Sequence, residues 1–228
     1  MKKVFELIDK NLSFSRAFEL FKRDSEEKHP PLITISREFG SGGSVIAEKV
    51  AKLLGRSWKV YHEQIVDKIA KESNLEKRLI REIDEARMPL VEEIVNDFFG
   101  KKFLSLNSYS KHLVKILSQI GNRGNAIIVG RGANFLFPYS LKVRVVGEMK
   151  SRVNVLMKYK RVSQTKAEML IEDSDKRRRE FIQQVYNHDP KKAHHYNVVI
   201  KTSKYLSPDD AAHTIAMLAR RRFGLRRK

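Results

Sequence analysis

Five short apolar runs alternate with longer segments of helical periodicity, and this alternation constrains the fold more than any other feature of the chain. The runs are Leu32–Ile35, Trp58–Tyr61, Asn125–Gly130, Leu141–Gly147 and Tyr196–Thr202. Helical spacing predicts helices over Ser44–Leu54, His62–Glu72, Ser151–Ser163 and Lys166–Asn187. Several more are predicted between Asn74 and Gln119, with breaks near Pro89 and Gly100. A last helix starts at Ser207, where Pro208 in the first turn and Asp210 three residues on form a capping box. Strands that read as continuous apolar runs are buried on both faces. Spaced by helices, they predict an α/β fold with a parallel sheet between two helical layers.

The 228 residues suffice for one core with a small attached lobe, and an apolar fraction of 41% excludes broad disorder. There is no cysteine, so disulfides and thiolate metal sites are excluded. No apolar run is long enough to span a bilayer. Glu6, Asp9 and Lys10 interrupt any signal-peptide core in "MKKVFELIDKNLSF". A soluble, cytoplasmic protein with no membrane partner is expected. Residues 1–24 read as an amphipathic helix with Leu7, Phe14, Phe18 and Phe21 along one face, closed by Pro30 and Pro31. The organisation expected is an appendage over 1–30, a main domain over 31–220 and a basic tail over 221–228. An exposed aromatic helix at the start would favour a homodimer.

The formal net charge is +19. Such a surface attracts nucleic acid, anionic membranes or phosphorylated small molecules. No reading motif for nucleic acid accompanies the charge, so a specific nucleic-acid partner is not expected, although the tail "RRRFGLRRK" suits weak contact with polyanions.

The first strand leads through "SREFGSGGS" into a helix. A turn at that place sits at the carboxyl edge of a parallel sheet, where ligands bind. The helix start offers unpaired backbone N–H groups and a positive dipole end, and glycines let the backbone wrap an anion closely. Gly40, Ser41, Gly42, Gly43 and Ser44 are therefore the candidate phosphate-binding residues. The alternative is a tight turn that needs glycine only for its dihedrals. Registered on the phosphate-loop pattern G-x-x-x-x-G-K-[ST], with its second glycine on Gly42, the chain has Arg37 at the first glycine and Gly43 at the lysine. Ser44 takes the hydroxyl position that would hold magnesium. The point charge normally given by the lysine must then come from another cation. Arg37 is near enough in sequence to reach over the loop, or else to pair with Glu38.

Three segments in order, "ITISREFGSGG", "IIVGRGANFLF" and "YNVVIKTSKYLSPDDAA", resemble the cytidylate kinase-like family of nucleoside monophosphate kinases, over about Leu32 to Leu218. Ser36–Gly43 match the S-R-E-[FY]-G-S-G-G element in full, and Gly130–Ala133 match G-R-x-A. The resemblance implies a three-layer, P-loop nucleoside monophosphate kinase-like fold around a five-stranded parallel sheet. It also implies a helical substrate lobe over about 74–120 and a basic lid over about 150–190. It further implies ATP, Mg2+ and a nucleoside monophosphate acceptor, CMP or dCMP first, or another small phosphorylated acceptor. Arg131 at the sheet edge would grip the acceptor phosphate. The lid cations Arg152, Arg161 and Arg178, with Asp175 in a D-x-x-R pattern, would replace the missing lysine together with Arg37. His62 stands where the family commonly has aspartate and, with Glu63, is the candidate contact for the acceptor. Lys201-Thr202 replaces the usual Asn-Thr, and Gly132 stands where true cytidylate kinases place an acid. Glu63 and Asp67, at i and i+4, could share a helix face. His188, His194 and His195 lack a metal-ligand pattern. A nucleotide-binding regulator without transfer chemistry is the alternative, motivated by Gly43 at the lysine position.

Overall fold

The computed structural model describes residues 29–63, Val66 and residues 108–225. The expected helix over 1–24, Asp67, the helices expected from residue 74 up to 107 and the end of the basic tail lie outside the described residues. Within them the elements run β1 (Leu32–Arg37), α1 (Gly43–Leu54), β2 (Lys59–His62), α2 (Ser108–Arg123), β3 (Ala126–Val129), α3 (Ala133–Leu136), β4 (Leu141–Gly147), α4 (Met149–Lys160), α5 (Gln164–Tyr186), β5 (Val198–Thr202) and α6 (Pro208–Phe223).

The five strands form one sheet in the order β2-β3-β1-β4-β5, every pair parallel. β1 lies at the centre, with Ile33 level with Ile127 of β3 and with Leu141 of β4. Side chains alternate across it. Ile33 and Ile35 join Ile46 and Val50 of α1 and Ile215 of α6 on one face. Leu32, with Ala126 and Ile128 of β3, faces Leu113, Leu117 and Ile120 of α2 and Phe137 on the other. The three layers therefore follow from the apolar runs. Each fully buried Ile or Leu in them contributes about 1.5–3 kcal/mol by leaving water. A charge introduced at Ile33, which is 0% exposed, would break the centre of the sheet.

The last helix starts as its sequence predicts. The Ser207 side chain accepts from Asp210 N–H at 3.2 Å, and Asp210 Oδ2 accepts from Ser207 N–H at 2.9 Å. Asp209 and Asp210 in the first turn and Arg220 to Arg222 in the last both suit the helix dipole. α6 packs on α1 and brings Pro208 beside the glycine turn, 3.6 Å from where a Cβ on Gly42 would lie. No helix among the described residues is long and apolar enough to cross a membrane.

Candidate functional site

The turn between β1 and α1 is held from its first half and left open at its second. Glu38 Oε2 accepts from Gly147 N–H at 3.1 Å, and Asp175 Oδ1 of α5 accepts from Phe39 N–H at 2.8 Å. Ser41 Oγ donates to the Glu38 carbonyl at 2.8 Å, and Thr202 Oγ1 donates to the Ser41 carbonyl at 3.0 Å. Gly42 then caps α1 in the left-handed region, φ 83°, with no side-chain cap and no acid in the first turn. The first helical bond runs from Ile46 N–H to Gly42 O at 2.9 Å. The N–H groups ahead of it point out of the helix end, where an anion can meet them. Ser44 is exposed in this turn.

Gly43 explains the missing lysine. A Cβ there would lie 2.6 Å from Arg37 Cβ, so the stem of Arg37 fills the space a side chain at position 43 would need. The Arg37 guanidinium does not pair with its neighbour Glu38. It crosses Gly130 and meets Glu63 Oε2 at 2.5 Å.

Glu63 is the hub of the cleft. Its second oxygen meets Arg131 Nη1 at 3.2 Å, so one carboxylate joins the end of β1 to the turn after β3. Burial pushes the Glu63 carboxyl up, but Arg37 and Arg131 together outweigh it and hold the group below its ordinary value. Arg178 of α5 donates to the Arg37 carbonyl at 3.4 Å and lies over the Phe39 ring at 5.4 Å. Burial and the nearby Arg37 charge bring its pKa down to about 10, still cationic at neutral pH. These groups line a cleft of about 590 Å3 whose Lys and Arg side chains outnumber Glu38, Glu63 and Asp175. Such a balance suits an anion carrying more than one negative charge.

The turn after β3 is built by close approach. A Cβ on Gly130 would strike the Arg37 guanidinium, and one on Gly132 would lie 2.1 Å from the Tyr186 ring. Tyr186 donates its hydroxyl to the Arg131 carbonyl at 2.7 Å. Arg131 itself has φ 52°, and its guanidinium lies over Phe181 at 5.1 Å. The space an acid at position 132 would need is therefore filled by an aromatic ring from α5.

The structure brings Arg37, Glu63, Arg131, Asp175 and Arg178 to one cleft and places three other sequence candidates differently. Arg152 is 5% exposed and holds the turn, donating to Phe39 O at 2.8 Å and pairing with Glu38 and Asp175. His62 ends β2 and meets Glu48 of α1 at 2.7 Å. Arg161 caps α4 in the left-handed region and is exposed, while Lys160 beside it lines the cleft. Lys201 pairs with Glu148 at 2.9 Å at the surface. His188, His194 and His195 stand close together, yet among the described residues no group of three or more His, Cys, Asp or Glu side chains is arranged to hold a metal ion.

Sequence reasoning missed Arg144. It sits on β4, beside the central strand, is 8% exposed, donates to Ser36 Oγ at 3.2 Å and stacks over Tyr196 at 5.6 Å. Its signal was present: an arginine inside the apolar run "LKVRVVG" must be paired or face a polar cleft.

One solved structure agrees with this architecture. The crystal structure of an uncharacterized protein from Eubacterium ventriosum superposes with a TM-score of 0.66 at 20% identity, covering 83% of this chain and 98% of that one. That of TT1252 from Thermus thermophilus gives a TM-score of 0.45 at 20% identity, covering 84% and 98%. No curated protein matches the sequence. The model of the cytidylate kinase-like family matches residues 32–204. With its five-stranded parallel sheet and its glycine turn at the sheet's carboxyl edge, the chain belongs to the cytidylate kinase-like family.

Proposed function

We propose that the cleft transfers the γ-phosphate of ATP to a nucleoside monophosphate, CMP or dCMP first. The observation that carries this reading is the convergence of Arg37, Arg131 and Arg178 in one cleft, with the stem of Arg37 against Gly43 at the uncapped start of α1. The ATP phosphates lie on the backbone N–H groups at 42–45, a cradle that a side chain at Gly42 would fill. The Ser44 hydroxyl, exposed in the first turn of α1, would hold Mg2+, which when bound would supply positive charge against the phosphates. Arg131 and Arg37 take the acceptor phosphate by charge-assisted hydrogen bonds, in place of part of their contact with Glu63. Arg178 and Lys160 come from the basic segment over the cleft and meet the transferring group. An oxygen of the acceptor phosphate forms its bond to the γ-phosphorus as the bond to the β–γ bridging oxygen breaks. ADP and a nucleoside diphosphate leave. No side-chain base is needed, because alignment and charge stabilisation carry the reaction.

A second reading is favoured by the closed space at Gly43, which leaves the loop without its lysine: a regulator that binds nucleotide and transfers nothing. A screen of CMP, dCMP, UMP, AMP and GMP with Mg-ATP separates the two. ADP formation that depends on one monophosphate is the expected result. Tight ATP binding without turnover on any of them selects the regulator, and no nucleotide binding at all removes both.

A further inference from the structure

Asn134 lies in α3, three residues after Arg131, and is 4% exposed. It lines the cleft, and its Nδ2 has no hydrogen-bond partner among the described residues. The charged groups around it are matched: Arg37 and Arg131 with Glu63, and Asp175 with Arg152 and Phe39 N–H. His195 Nε2 is also buried and unpaired, but it does not line the cleft. A buried amide N–H without an acceptor is costly and rare in a folded protein. At a cleft wall, its missing partner is naturally an atom of the ligand. The same cleft carries Phe181, Ile182 and Pro190, an apolar stretch of wall suited to a flat unsaturated ring. Arg131 already accounts for an anionic group next to it.

We infer that Asn134 reads the base of the acceptor nucleotide, its Nδ2 donating to a carbonyl oxygen or ring nitrogen of the heterocycle. The inference rests on Arg131 holding the acceptor phosphate, as proposed above. It adds a specificity residue that a phosphate clamp alone does not supply. A site that hydrogen-bonds its substrate discriminates strongly against an analogue lacking the matching group, because its own donor is then left unpaired.

The test is equilibrium binding of CMP, UMP, AMP, GMP and ribose 5-phosphate to the full chain and to three variants. Arg131→Ala is expected to weaken every phosphorylated ligand. Asn134→Ala is expected to weaken the preferred nucleotide about tenfold or more while leaving ribose 5-phosphate within about twofold, since that probe has no base. Asn134→Leu keeps the side-chain shape closely, adds no charge and cannot donate, and is expected to show the same selective loss. Thermal unfolding of each variant shows whether it is folded, and the Leu variant keeps the comparison valid if the Ala variant is not. Equal losses for nucleotide and ribose 5-phosphate, or unchanged nucleotide affinity in the folded Asn134 variants, overturn the role of Asn134 while the Arg131 result stands. If the unmodified chain binds no monophosphate, the reading of the cleft fails and this inference fails with it.

Discussion

Two glycine turns leave neighbouring strands of the sheet, one after β1 and one after β3, and Gly42 of the first serves the opposite purpose to Gly130 and Gly132 of the second. Both place glycines at positive φ, Gly40 and Gly42 in the first, Gly130 and Gly132 in the second, and both open a helix without a side-chain cap. At Gly42 the nearest heavy atom to a would-be Cβ is 3.6 Å away, so the missing side chain leaves open backbone. At Gly130 and Gly132 the missing side chains make room for other residues, the Arg37 guanidinium and the Tyr186 ring. The first turn exposes main-chain donors. The second brings an arginine and an amide to the cleft and seats an aromatic ring against its own backbone. A glycine in a sequence thus marks either emptiness or occupancy, and only the neighbours decide which.

The sharpest way to break the contrast is Gly132→Val. Its Cβ would lie 2.1 Å from the edge of the Tyr186 ring, at a φ of 69° that a β-branched residue scarcely adopts. Overpacking and backbone strain together are expected to cost about 3 kcal/mol or more, read as a lowered midpoint in denaturant unfolding. A variant as stable as the parent would show that Tyr186 does not occupy that space. Gly42→Val meets no such neighbour. Backbone strain of about 1–3 kcal/mol is expected there, but ATP affinity, measured by titration calorimetry, should fall at least tenfold. Unchanged affinity in a folded Gly42→Val would remove the phosphate from the first turn.

The smallest expected effect concerns Glu63, which ties the two turns together. Its folded pKa lies below its ordinary value near 4.5, so its contribution to stability is full above that value. That contribution is lost as pH falls through the folded pKa. Glu63→Gln should therefore lower stability at pH 7 by about 1–2 kcal/mol, or some 2–8 °C in melting temperature. It should also flatten the acid decline that the parent shows below about pH 4.5. A variant that melts like the parent at pH 7 would mean the two arginines hold their places without it.

Much of the fold was legible because its signals are local. The apolar runs, the capping box at Ser207 and the glycine turn each lie within a few residues, and the five strands appear where those runs stand, with ends shifted by one or two positions. The site was legible only in part. Arg131, Glu63, Asp175 and Arg178 meet in the cleft because each sits at a strand end or on the helix over it. The direction of Arg37 was not legible, since its partner Glu63 lies 26 residues away and only sheet pairing makes them neighbours. Arg152 was read as a cation for phosphate because charge alone was visible. Its contacts with Glu38, Asp175 and Phe39 depend on how α4 and α5 pack under the turn. Tyr186 against Gly132 joins positions 54 apart in the chain, and no periodicity announces it.

The stem of Arg37 beside Gly43 has a consequence for how such a turn can change over time. A lysine introduced at position 43 alone has nowhere to go, and a glycine at position 37 alone gives up a cation. Only the paired exchange, Arg37→Gly with Gly43→Lys, restores the full phosphate-loop pattern. The two positions are coupled by volume: a side chain at position 43 finds room only once the stem of Arg37 has gone.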